Sequence, residues 1–269
     1  MVIQNNHHQT NRSAIMNVMV SAVHKASRSL IRDFNEIEHL QVSRKGLGDF
    51  VSTADYASEK ILIAELSRAR PEYGFLVEES GEIEGKDPLY RWVIDPLDGT
   101  TNFLHGIPHF AISLALQKGK DIVAAIVHNP ATDEMFWAEK GGGAFVNQRR
   151  LRVSGRRQLS DALIATGIPF GNTGNKSKFI ERAAKIMPRT SGMRRMGAAA
   201  LDLAYVAAGR CEAYFEDGLS PWDIAAGILL VREAGGMVTQ IGGGEIKLDS
   251  DSIFASCPQL YDDIGDLLG

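Results

Sequence analysis

Trp92-Val93-Ile94-Asp95-Pro96-Leu97-Asp98-Gly99-Thr100-Thr101-Asn102-Phe103 is the stretch around which the chain is organised. An apolar run ends on an aspartate, turns through Pro-Leu-Asp-Gly and restarts on two threonines. Pro96 disfavours the α region for Asp95, which predicts an extended residue at the end of a strand. Asp98-Gly99 is a turn dipeptide, and Thr100 and Thr101 suit the opening of a helix. Two carboxylates, a tight turn and the unpaired N–H groups of a helix N-terminus therefore fall together. Such amides favour an anion, phosphate above all. Two aspartates would repel that phosphate unless a hard cation lay between them, and Mg2+ is the usual one. The stretch reads as a metal-plus-phosphate site; the alternative is a plain strand–turn–helix junction with solvated acids.

On the N-terminal side, Ile15, Met19, Val23, Ala26, Leu30 and Phe34 recur close to helical spacing, starting from Ser13. A loop rich in glycine and charge, Ser43 to Asp49, precedes a second predicted helix from about Thr53 to Arg68. A short strand, Phe75-Leu76-Val77, ends on Glu78-Glu79-Ser80. On the C-terminal side, Phe110 to Gln117, Ile122 to His128 and Met135 to Ala138 are separated by turn-forming residues, which predicts an antiparallel meander. The basic run Arg149, Arg150, Arg152, Arg156 and Arg157 marks a boundary between halves 1–150 and 151–269. It reads as a solvated hairpin and linker or as a docking point for an acidic partner. Beyond it, strand candidates near Leu163, Met193, Ala213, Met237 and Ile253 alternate with helical segments near Phe179, Leu201 and Ile228. That alternation predicts an α/β arrangement with a mixed sheet, and a cleft is expected between the two halves.

Composition narrows the classes. A chain of 269 residues with 44% hydrophobic and 23% charged residues is ordinary for a soluble globular protein. The net charge of −4 argues against a dedicated nucleic-acid binder. Cys211 and Cys257 are too few for a disulfide framework, which fits a reducing, cytoplasmic setting. Met1 to Arg12 is polar and lacks the apolar core of a signal peptide, and His7-His8 is read as a tail without a metal site. No apolar run approaches the roughly 20 residues of a membrane helix.

Further acids stand at the ends of elements. Ser220, Pro221 and Asp223 suit the N-cap, first and third positions of a long apolar helix. Asp223 is thus either a capping residue or a cation ligand facing a cleft. Asp55 lies three residues after Ser52, which is again capping geometry, while Glu78 and Glu216 close short strands. Element ends are where sheet-based sites collect their functional residues.

Asp95-Pro96-Leu97-Asp98-Gly99-Thr100-Thr101-Asn102-Phe103 resembles the first signature of the inositol monophosphatases, members of the lithium-sensitive, magnesium-dependent phosphatase superfamily. Trp222-Asp223-Ile224-Ala225-Ala226-Gly227, followed by Glu233-Ala234-Gly235-Gly236, resembles the second. Glu78-Glu79-Ser80 is similar to the upstream acid motif, and Asp55 stands in the family's Thr-x-Asp context. The motifs keep the family's order, and Arg194 to Gly236 is particularly similar to bacterial members.

The resemblance implies a layered α-β-α-β-α sandwich, with an antiparallel sheet in the N-terminal half and a mixed sheet in the C-terminal half. It implies Mg2+-dependent hydrolysis of inositol monophosphate to inositol and phosphate by metal-activated water, with about two to three ions per subunit. Glu78, Asp95 and the Leu97 carbonyl would hold the first ion; Asp95, Asp98 and Asp223 the second; a weaker third would lie near Glu78. Thr100, hydrogen-bonded to Asp55, would position the attacking water. The Gly99 and Thr100 amides would receive the phosphate, Gly197, Ala199 and Glu216 would contact the sugar-alcohol hydroxyls, and Asp98 and Asp223 would also belong to the substrate-binding set. The family's early lysine falls near Arg44-Lys45. A homodimer and lithium sensitivity are further family expectations. Two alternatives remain: a fructose-1,6-bisphosphatase or other small phosphomonoesterase, with Arg194-Arg195 taking a second phosphate, and a regulatory role with transcription or RNA partners.

Overall fold

Alternation along the central strands decides which layer each residue joins. The computed structural model describes residues 12–37, 42–46, 49–169 and 175–269, without the side chains of 43–51. His7-His8 and the side chains of Arg44-Lys45 lie outside the described residues. The chain opens with α1 (Ala14–Asn35), the hairpin β1 (Val42–Gly46) and β2 (Asp49–Ser52), and α2 (Thr53–Ala69). Then come β3 (Tyr73–Val77), β4 (Gly81–Ile83), β5 (Asp87–Asp98) and α3 (Thr100–Leu104). The meander is β6 (Ala111–Lys118), β7 (Asp121–Asn129), β8 (Glu134–Glu139), β9 (Gly143–Val146) and β10 (Arg149–Arg150). After it run β11 (Leu163–Thr166), α4 (Lys176–Ile186), β12 (Gly192–Arg194), α5 (Ala199–Ala207) and β13 (Ala213–Asp217). The chain closes with α6 (Pro221–Glu233), β14 (Met237–Thr239), β15 (Ser252–Ser256) and α7 (Tyr261–Leu268).

The first large sheet has the order β10-β9-β8-β7-β6-β5-β3-β4, the second β12-β11-β13-β15-β14. On one face of the first sheet Trp92, Ile94, Ile112, Leu114, Ile126 and Trp137 pack against α1 and α2. On the other, Val93, Ala111, Ala115, Ala125, Val127 and Ala138 meet α5 and α6. The second sheet divides likewise: Tyr214, Ile253 and Ala255 join the α5–α6 core, while Ile164, Phe215 and Phe254 pack with Ile186 of α4 and Ile264 of α7. The order is therefore helices, sheet, helices, sheet, helices. Alanines on both sides of the central layer bring helix and sheet close together, and each large apolar side chain removed from water stabilises by about 1.5–3 kcal/mol.

Two expectations need correction. The N-terminal sheet is mixed, because β3 pairs parallel to β5 while every other pairing in that sheet is antiparallel. The β4 hairpin excursion lies between β3 and β5 in sequence and returns the chain beside β3, so local pattern could not reveal the direction. Within the expected loop Ser43 to Asp49, residues 43–46 and Asp49 are instead strand residues of the β1–β2 pair.

Helix α6 is held at both ends. Its first turn touches the sheet through the Ser113 hydroxyl, which donates to the Trp222 carbonyl at 3.1 Å. At its last residue, the Glu233 carboxylate accepts from the Gly141 and Gly143 amides, each at 2.8 Å.

Candidate active site

The register of β5 against β6 explains how two aspartates three residues apart share a face. Asp95 pairs with Ser113 and Asp98 with Ala111, so the two residues Pro96 and Leu97 on β5 oppose Ile112 alone on β6. In an unbroken strand residues i and i+3 point to opposite faces. The one-residue bulge at Pro96-Leu97 cancels that flip: Asp95 and Asp98 both face α5 and α6, while Leu97 turns into the α1–α2 core. Proline suits the interruption, having no N–H to lose.

Other elements bring further acids to this face. The Glu78 amide extends the parallel pairing by donating to the Ile94 carbonyl at 3.2 Å, which sets Glu78 beside Asp95. Glu59 of α2 holds the turn that follows, accepting from the Glu79 amide at 3.1 Å and from the Ser80 hydroxyl. Asp98 accepts from the Ala199 and Ala200 amides at 3.2 and 2.8 Å, and so caps α5 from the other sheet. Asn102 completes that bridge, donating to the carbonyls of His109 and Met196 at 2.8 Å each. Asp223 accepts from the Ser220 amide at 2.7 Å, the reciprocal bond of a capping box.

Asp55 does two things. Its Oδ2 accepts from the Ser52 amide at 2.9 Å and hydroxyl at 2.6 Å, and its Oδ1 lies 3.2 Å from the Thr100 hydroxyl. That hydroxyl is also 3.0 Å from the Leu97 carbonyl, and its single proton serves one acceptor at a time. Gly99 stands at φ +90° before α3, and a Cβ there would meet the His109 carbonyl at 3.0 Å and the Gly197 carbonyl at 3.3 Å. Only glycine satisfies both the backbone and the space.

A cavity of about 370 Å³ opens over these groups. Glu78, Asp98, Gly99, Thr100, Gly197, Ala199, Glu216 and Asp223 line it. Asp55, Asp95 and Leu97 are buried and do not line it, although Asp55 and the Leu97 carbonyl reach the Thr100 hydroxyl; the Ala199 amide is already engaged by Asp98. Sequence reasoning missed three contributors. Gly167 lines the wall beside Glu216, and a Cβ on it would fall 1.9 Å from the Glu216 carboxyl carbon. Asp202 of α5 is also in the wall, and Glu59 works from behind. Asp202 reads in sequence as one polar residue in an apolar helix, and that break in the pattern was the available signal; Gly167 and Glu59 had none.

Electrostatics single the spot out. Burial raises Asp95 well above the ordinary carboxyl range, and Glu78, Asp98 and Asp223 raise it further. Burial pushes Asp98 up to about 7. Asp223 is raised well up by burial and then by Asp98, and burial raises Asp55 and Glu216. Crowded acids that repel one another without a neutralising cation are a donor set suited to a divalent metal. Among the described residues, no three His, Cys, Asp or Glu side chains converge as a ready cage. Mg2+ does not require one, since it usually takes one or two carboxylates and keeps waters and substrate oxygens.

Fold and site together define a phosphoester hydrolase whose buried acids are suited to a divalent cation. The chain belongs to the inositol monophosphatase family, whose family model matches residues 11–265, and it is a phosphatase. An inositol-1-monophosphatase of Mesorhizobium japonicum is 57% identical over 244 residues, covering 91% of this chain and 92% of that protein. The Nus factor SuhB of Escherichia coli is 43% identical over 247 residues, covering 91% and 92%. The crystal structure of extragenic suppressor protein suhB from Bartonella henselae superposes with a TM-score of 0.92 at 53% identity, covering 95% of this chain and 98% of that one. Among the described residues no helix is long and apolar enough to cross a membrane.

Proposed function

We propose that this phosphatase hydrolyses a polyol phosphate monoester, inositol monophosphate in the first place, with Mg2+ as its cation. The observation that carries the reading is the group Glu78, Asp95, Asp98 and Asp223 beside the Gly99 turn, in which burial and the neighbouring carboxylates raise Asp95, Asp98 and Asp223. Glu78, Asp95 and the Leu97 carbonyl would hold one ion, Asp95, Asp98 and Asp223 a second, with a third, weaker ion near Glu78. When bound, the cation supplies charge neutralisation for the phosphoryl oxygens and acidifies the attacking water. The Gly99 and Thr100 amides orient the phosphate. The Thr100 hydroxyl, tied to Asp55, takes a hydrogen bond from the attacking water and aligns it. Glu216 and the backbone around Gly197 and Ala199 read the hydroxyls of the alcohol. In this reading residues 1–150 supply most metal ligands, and residues 151–269 supply Asp223 and the hydroxyl-reading wall.

A polyol monophosphate suits the wall better than a bisphosphate. Arg195 faces the carboxyl groups of Glu216 and Asp202, and the Arg194 guanidinium is exposed and donates to the Met193 carbonyl. A second phosphate there would meet two carboxyl groups. A phosphate-release panel tests the reading: inositol monophosphate is hydrolysed faster than fructose 1,6-bisphosphate, and activity is lost on Mg2+ removal. Equal rates on both, or full activity in a chelator, would defeat it.

One observation favours a second role beside the first. Arg149, Arg150, Arg152 and Arg157 are exposed, away from the cavity, in a chain related to proteins named Nus factor SuhB. A transcription partner would dock there, and charge reversal at Arg149 and Arg150 would weaken its binding in a pull-down while sparing phosphatase turnover. Cytoplasmic location, consistent with two free buried cysteines, lithium sensitivity and a homodimer complete the proposal.

A further inference from the structure

Asp202 is 1% exposed and belongs to the wall of the cavity that also holds Glu216. Its Oδ1 has no hydrogen-bond partner among the described residues. Trp92 Nε1 and His109 Nε2 share that condition, and neither residue lines the cavity. Two ordinary explanations of a buried helical acid are already used up. The cap of α5 is supplied by Asp98, whose oxygens take the Ala199 and Ala200 amides. Arg195, the cation that faces Asp202, acts on it through space and leaves Oδ1 unpartnered. A buried carboxyl oxygen without a partner is costly, and such an oxygen in a site wall calls for a ligand or an ordered water.

The surroundings suggest which ligand. The Tyr214 hydroxyl, itself fully buried, donates to Glu216 Oε2 and fixes that carboxylate. Gly167 leaves it room, as a Cβ there would overlap its carboxyl group. Gly197, at φ +85°, lets Arg195 lie across it, with Nη1 2.6 Å from where a Cβ would stand. The wall therefore offers two carboxyl groups and a guanidinium. Alcohol hydroxyls both donate and accept, so they satisfy a carboxyl oxygen in either protonation state.

We propose that Asp202 is a second hydroxyl-reading residue, receiving on Oδ1 a hydroxyl other than the one read by Glu216, so that the preferred substrate carries at least two free hydroxyls beside its phosphate ester. This rests on the polyol phosphatase reading above. The test compares kcat/KM for inositol monophosphate and p-nitrophenyl phosphate in the unmodified protein, Asp202→Leu and Asp202→Ala. Leu matches the acid in size, and Ala leaves room for water if the Leu chain does not fold. The ratio of the two specificity constants should fall at least about tenfold, chiefly through KM for the polyol ester. Inhibition by free inositol should weaken about as much, and more than inhibition by inorganic phosphate. A ratio unchanged in a folded variant, with both substrates losing equally, overturns the role of Asp202 and leaves the polyol reading standing. Hydrolysis of p-nitrophenyl phosphate without any of inositol monophosphate by the unmodified protein overturns both.

Discussion

Asp95 accepts from the Leu97 amide at 2.9 Å and stands among Glu78, Asp98 and Asp223. Asparagine keeps its shape and its bond to Leu97 while removing the charge that would bind a cation. Asp95→Asn should therefore fold normally by circular dichroism and lose at least about 10²–10³ of its phosphate-release rate at saturating Mg2+. Near-normal turnover would exclude a ligand shared between two ions. Residues of this kind were legible in the sequence because local motifs carry them: Asp95 and Asp98 in one turn, Asp55 and Asp223 three residues after serines. The capping and site readings of Asp55 do not compete, since one carboxylate oxygen caps the helix and the other reaches Thr100. Gly167 and Glu59 were not legible, and Asp202 showed only as a polar break in an apolar helix, because their meaning comes from partners such as Glu216, 49 residues away from Gly167 in sequence and adjacent in space.

At the scale of elements, the ends of β11 and β13 form one side of the cavity, held in parallel register from Ile164–Ala213 to Thr166–Phe215. The Thr166 hydroxyl locks that end by donating to the Phe215 carbonyl at 2.8 Å. Gly167 and Glu216 follow directly. Gly167→Ala should keep both strands and push the Glu216 carboxylate from its place. We expect kcat/KM for inositol monophosphate to fall about tenfold relative to an aryl phosphate, with the melting temperature little changed. Parallel losses on the two substrates would show that the glycine serves packing alone. Most elements could be read from periodicity: the long helices, the meander and the α/β alternation. The β1–β2 hairpin and the direction of β3 could not. The former lacks alternation, and the latter depends on a non-local pairing across the β4 excursion.

For the whole molecule, the acids set a pH dependence of stability. Folded Asp98 titrates near 7, against 3.8 for its ordinary value, so between these values the folded chain binds more protons than the unfolded one. The unfolding free energy contributed by that proton is fully present at low pH and declines as pH rises through about 7. Asp95 and Asp223 are shifted in the same direction and add to the slope. In a chelator, Tm should fall from pH 5 to pH 8. Mg2+ should raise it at both, and more at pH 8, where the ligands are already deprotonated. A metal-free Tm that climbs toward pH 8, measured by calorimetry, would contradict this account. The layered architecture itself followed from the resemblance, while the reason it closes, small residues on both sides of the α5–α6 layer, became visible only in the packing.

Helix α6 behaves as a strut pinned at both ends. Its 13 residues put about 20 Å between Pro221 and Glu233. A helix resists compression along its axis, so the grip of Glu233 on the β8–β9 hairpin limits the axial travel of Asp223 at the opposite end. Metal–ligand distances tolerate only about 0.2 Å of error. The hairpin at Gly141 to Gly143, outside the cavity lining, thus belongs to the alignment tolerance of the proposed cation site, and a loosened joint there would be felt as misalignment a whole helix away.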